Sequence, residues 1–180
     1  EHPGMVGWFN PPTLLDIARQ AIVSAVFGQY ADRRLIQAAL DPTDEAELLR
    51  RTALTATIPR DESGAIWIDY VADLGDGFDS TYAIAYLLGR PKLEIEGAGT
   101  LPRGQLLVMG GDQVYPAATR KEYKQRMRQP YAYAFPDSAA TDAAHPPLVL
   151  IPGNHDWYDG LTLFLALFCT SREKKIGSWR

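Results

Sequence analysis

Three stretches of the 180-residue chain pass from apolar residues into oxygen- and nitrogen-bearing side chains within a few positions. They read VADLGDGFDS (71–80), LVMGGDQVYP (107–116) and LVLIPGNHDWYDG (148–160). Each apolar run has the composition of a short buried strand, and each polar run that of the loop after it. Ligands of open α/β sheets bind beyond the carboxyl ends of the strands. Were the three strands neighbours, Asp73, Asp76, Asp112, Tyr115, Asn154, His155 and Asp156 would surround one crevice. Carboxylates, an amide, a phenol and an imidazole together make a donor set for a hard or borderline metal ion. The glycines among them let the backbone turn sharply and pass close to such an ion.

Each feature taken alone has a plainer reading. Gly111-Asp112 is ordinary turn chemistry after a strand, and Tyr115 before Pro116 can be an aromatic loop anchor. Asp73 and Asp76 can cap the following helix, a part that Asp79 also fits. The run DLGDGFD (73–79) is not an EF-hand loop, because its third position is Gly75 and no Glu closes it. His145 ahead of Pro146-Pro147 reads as an exposed loop residue, and His2 as part of a mobile terminus. Trp157 and Tyr158 read equally as pocket wall or as working groups. Joint occurrence, in order and at three strand ends, favours a site.

The elements that must carry these loops follow from pattern. Asn10-Pro11-Pro12 is a helix start, and apolar residues recur at helical spacing from Leu14 to Val26. Further helices are expected at about 30–40 and 44–55, making 1–58 a helical lead-in or cap. Beyond it come a strand at 65–73, a helix at 79–89 with an Asp/Ser cap, and a strand at 105–112. Thr119-x-x-Glu122 opens a helix over 119–127 that reads as polar and exposed. The segment 130–147 reads as surface loop, 148–151 as a strand and 161–169 as a helix. This alternation predicts an α/β fold with largely parallel strands over 59–180.

Composition narrows the function classes. With 46% hydrophobic and 22% charged residues the chain is globular in type. A net charge of -4 argues against a nucleic-acid footprint, which needs a basic patch. The lone Cys169 excludes an intramolecular disulfide and a Cys-rich zinc site. No stretch approaches the roughly 18 apolar residues of a membrane span. Cytoplasmic localisation is the expectation.

The three loops resemble the signatures of the calcineurin-like metallophosphoesterase superfamily. Gly153-Asn154-His155-Asp156 matches its Gly-Asn-His-Asp/Glu signature, and Gly111-Asp112 begins its Gly-Asp signature. The usual Asp-x-His is here Asp73-Leu74-Gly75, the variant of the purple acid phosphatase branch. That branch also has Gly-Asp-x-x-Tyr, present as Gly111 to Tyr115. The signatures span Asp73–Asp156, just under half the chain, and leave the N-terminal helices uncovered.

The resemblance implies a metallophosphoesterase-type α/β sandwich and hydrolysis of phosphate esters by a two-metal-activated hydroxide. It implies that Asp73 and Tyr115 ligate a first metal, Fe(III) in purple acid phosphatases, and that Asp112 bridges two ions. Asn154 would ligate a second, divalent ion (Zn, Mn or Fe), with a Mn/Zn pair as the alternative. His155 would stand near the leaving group, and Asp156 would orient its imidazole. The family adds His ligands from two later segments, and no His follows His155 here. Hence the expectation of an N-terminal half of a longer enzyme, with the rest of the site supplied by missing C-terminal sequence. A non-catalytic phosphoesterase-like binding module that has lost metal ligands is the alternative. A plain nucleotide-binding domain is disfavoured, since neither Gly-x-Gly-x-x-Gly nor Gly-Lys-Ser/Thr occurs.

Overall fold

Short runs of apolar and β-branched residues at 68–71, 106–109 and 148–150 pair side by side as a parallel sheet. The computed structural model describes residues 2–27, 58–135 and 145–169. Helices expected at about 30–40 and 44–55 lie outside them. In chain order the described elements begin with α1 (Pro11–Phe27), β1 (Ile68–Val71), α2 (Phe78–Leu88), β2 (Lys92–Ile95) and β3 (Gly99–Pro102). They continue with β4 (Leu106–Met109), α3 (Arg120–Glu122), a π-helical turn (Tyr123–Arg128) and α4 (Gln129–Ala134). They close with β5 (Leu148–Leu150) and α5 (Thr162–Phe168). The fold is mixed α/β, with a parallel sheet in the order β1-β4-β5 and an antiparallel β2-β3 hairpin.

The register sets the site. Val71 pairs with Met109, and Met109 with Leu150, so all three strands end in one row. Backbone bonds carry the pairing a step further, from Gly110 N–H to the Val71 carbonyl and from Ile151 N–H to the Met109 carbonyl. The loops holding Asp73, Asp112 and Asn154 therefore leave the sheet at the same end.

The central strand β4 is the most buried, with Leu106, Leu107 and Met109 all inside. Its core partners are Ala85 of α2 and a stripe of Tyr123, Met127, Tyr131 and Phe135. Burying such side chains stabilises a fold by roughly 1.5–3 kcal/mol each. The stripe repeats every four residues, and at 3.6 residues per turn it would drift by about 40° per step. The wider i→i+5 turn over Tyr123–Arg128 takes up that drift and keeps the stripe on the sheet.

Three expectations are corrected here. The helix at 119–127 is not an exposed polar one: Tyr123, Arg126 and Met127 are buried, and helix continues to Ala134. The expected loop at 130–147 begins as α4, which carries the helix on from the π-helical turn through Pro130. Thr119 does cap as expected, accepting from the Glu122 N–H at 3.1 Å. The start of α2 differs: its N-cap is Gly77, without a side-chain cap. Thr81 instead ties the preceding loop down, donating to the Gly77 carbonyl and accepting from the Gly75 N–H. No described helix is long and apolar enough to cross a membrane.

Candidate functional site

The loops after β1 and β4 meet through one phenol. The Tyr115 hydroxyl lies 2.8 Å from Asp73 Oδ1 and 3.1 Å from Asp112 Oδ2. A phenol has one proton, so it donates to one of the two carboxylates at a time. Burial raises the Tyr115 pKa, helped by the hydrogen bond to Asp73 and the charge of Asp112. Without a cation the phenol stays protonated between two acidic groups that repel each other. Asp112 and Tyr115 are buried, whereas Asp73 is at the exposed rim.

Backbone strain collects at the same place. Asp73 and Asp112 both hold left-handed conformations, with φ of 56° and 50°. Such positions cost on the order of 1–3 kcal/mol each and gather at functional sites. Two glycines make the close approach possible. A Cβ on Gly75, whose φ is 88°, would overlap the Gln113 carbonyl oxygen, and one on Gly153 would overlap the Asp112 carboxylate. The position where Asp-x-His would place an imidazole is thus filled by the backbone of the neighbouring loop.

The loop after β5 joins through His155. Its backbone N–H donates to Asp112 Oδ1 at 2.9 Å, and its ring stands 4.5 Å from that of Tyr115. The imidazole Nδ1 lies 2.8 Å from the Pro116 carbonyl oxygen. A carbonyl only accepts, so Nδ1 carries a proton and Nε2 is the atom left for proton exchange. Asn154, next in the chain, is exposed, and its carbonyl accepts from the Trp157 N–H.

The hydrogen bonds of Asp156 run to other groups than the His155 imidazole. It is fully buried, with Oδ1 accepting from the Tyr123 hydroxyl at 2.5 Å. Its Oδ2 accepts from the backbone N–H groups of Gly153 and Gln113. It therefore braces the two loops against the π-helical turn, and the Pro116 carbonyl orients the imidazole. Burial raises the Asp156 pKa, against the lowering effect of Tyr123 and the two N–H donors.

One participant has no signature in the chain. Trp8, in the segment ahead of α1, sets its ring 5.3 Å from Tyr115 and 6.0 Å from His155. Its Nε1–H donates to Asp76 Oδ1 at 2.9 Å, so Asp76 faces the N-terminal segment. The helical lead-in thus begins on the site. His2 is stacked on Phe78 at 3.8 Å, and His145 is half-buried with its ring 5.5 Å from Phe135. A Trp eight residues from the start of the chain carries no spacing that ties it to loops more than a hundred residues away.

The donors that converge are thus two carboxylates and a phenol, with an imidazole beside them. Among the described residues, no three His, Cys, Asp or Glu side chains form a metal-holding group. No protein-family profile, curated protein or solved structure matches the chain.

Proposed function

We propose that the chain carries part of the site of a dinuclear metal-dependent phosphoesterase, as its likeness to the purple acid phosphatase signatures implies. The observation that carries this reading is the single phenol proton between Asp73 and Asp112. Two carboxylates facing one hydroxyl make an oxygen donor set of the kind a hard cation takes. The donor chemistry of the converging residues fits: Asp73 and Tyr115 would hold one ion and Asp112 would bridge, while Asn154, which is not among the converging donors, would serve the second. A carboxylate would suit the bridging part because it offers two oxygens. Bound there, the ions would supply charge neutralisation and acidify a water.

The chain's own residues do the rest. His155, with Nδ1–H held by the Pro116 carbonyl, would as the imidazolium give its Nε2 proton to the departing oxygen and be left as the Nδ1–H tautomer. Such a donor contributes on the order of 10²–10⁴-fold. Asp156 keeps the loop after β5 seated on the loop after β4. An Fe(III) ion on the Tyr115 phenolate, paired with Zn, Mn or Fe, is the favoured centre.

The test is metal content and hydrolysis of p-nitrophenyl phosphate and its bis-ester by the full-length protein. Asp112→Ala should lose metal and activity together, and His155→Ala should lose activity while keeping metal. A visible charge-transfer band should appear with Fe(III) and vanish in Tyr115→Phe. Full activity in both the Asp112 and His155 variants would sink the reading.

A further inference from the structure

His155 is ringed by aromatic side chains, and one of them comes from outside the three loops. The Trp8 ring meets those of Tyr115 and His155 nearly edge-on, at interplanar angles of 76° and 82°. Tyr158 stands 4.7 Å from the imidazole on the loop after β5. Trp8 is held firmly: its indole N–H is on Asp76, and the Val6 N–H donates to the Asp76 carbonyl. The Phe78 N–H donates in turn to the Pro3 carbonyl, which binds the segment to the start of α2.

We propose that Trp8, Tyr115 and Tyr158 form a leaving-group wall that selects phosphoesters with a flat aromatic leaving group. This rests on the phosphoesterase reading, in which His155 stands where the leaving group departs. A group departing beside that imidazole meets these rings first. Aromatic rings gain most from one another in offset or edge-to-face contact, with centroids about 4.5–7 Å apart. An alkyl leaving group gains little of that. Trp8 is half-buried, so part of its ring faces solvent.

The test compares phenyl phosphate with methyl phosphate in turnover, and phenylphosphonate with methylphosphonate in calorimetric binding. Wild type, Trp8→Ala, Trp8→Phe and Tyr158→Ala are measured with the full-length, metal-loaded protein. Comparing ratios between proteins cancels the intrinsic reactivity of the two leaving groups. Trp8→Ala should cut the phenyl preference about 3- to 10-fold in both assays, with Trp8→Phe keeping most of it. If Trp8→Ala does not fold, Tyr158→Ala should show the same selective loss. Equal weakening of both ligands, or of neither, would overturn the wall. If wild type turns over neither ester, the phosphoesterase reading fails, and the phosphonate preference alone decides on Trp8.

Discussion

The hydroxyl of Tyr123 lies 2.5 Å from Oδ1 of Asp156, joining the π-helical turn to the loop that carries His155. Both residues are essentially without solvent contact, so the bond has no water to replace it. Tyr123→Phe should therefore destabilise the fold by about 1–3 kcal/mol in urea unfolding, the cost of a buried acceptor left short of a donor. Asp156→Ala should cost more, because three donors, two of them buried, lose their acceptor. A variant at Asp156 with unchanged stability would return that residue to a chemical role.

Gly75 supports a second expectation. Its φ of 88° and its packing against the Gln113 carbonyl leave no room for a side chain. Gly75→Ala should cost roughly 2–4 kcal/mol from backbone strain and overpacking together. Gly75→His, which writes Asp-x-His into the chain, should lower stability further and fail to add metal affinity. A stable Gly75→His protein that binds metal more tightly would show that this loop can move aside.

How much of this was legible in the sequence depends on whether the cause was local. The strands at 68–71, 106–109 and 148–150 follow from apolar composition, and their common end from the repeated Gly and Asp/Asn endings. The meeting of Asp73, Asp112 and Tyr115 follows from the same endings. The π-helical turn did not show, because Pro130 reads as a break and a four-residue stripe fits neither ordinary period. The β2-β3 hairpin was missed although Leu93 and Ile95 alternate ahead of Gly97 and Gly99, both at positive φ. Asp156 was assigned to its chain neighbour His155, whereas its partner Tyr123 is 33 positions away. Trp8 was invisible for the same reason: its partners are chosen by tertiary packing, not by spacing.

Acid stability should report on the turn ahead of β1. Asp61 accepts from the Ser63 hydroxyl, the Trp67 indole N–H and two backbone N–H groups. These donors, the Ser63 hydroxyl foremost, lower its pKa to about 2. A depressed folded-state pKa means the unfolded chain binds more protons in that range. The turn's contribution is therefore fully present above an ordinary Asp pKa of about 3.9 and is lost as pH falls through about 2. A carboxyl carbon titration by NMR should place the Asp61 midpoint near that value, and Asp61→Asn should flatten the acid limb. A midpoint at the ordinary Asp value would mean the turn is not held this way in solution.

The anchoring of the N-terminal segment turns on Arg126. Its buried guanidinium pairs with Glu122 and donates to the Gly4 and Asp76 carbonyls, tying the segment to the loop after β1. With both side chains only 11% and 15% exposed, this pair is little screened by water. Removing one partner of such a pair costs about 3–5 kcal/mol, so Arg126→Met should be strongly destabilising. Arg126→Lys should rescue only part of that loss, since an ammonium cannot reproduce a fork serving two carbonyls and a carboxylate. The distinguishing readout is limited proteolysis: residues 2–10 should become cleavable in Arg126→Met, and less so in Glu122→Gln, which keeps both carbonyl contacts. Equal protection in all three proteins would mean that the backbone bonds of Pro3 and Val6 to the α2 region hold Trp8 over His155 without help from Arg126.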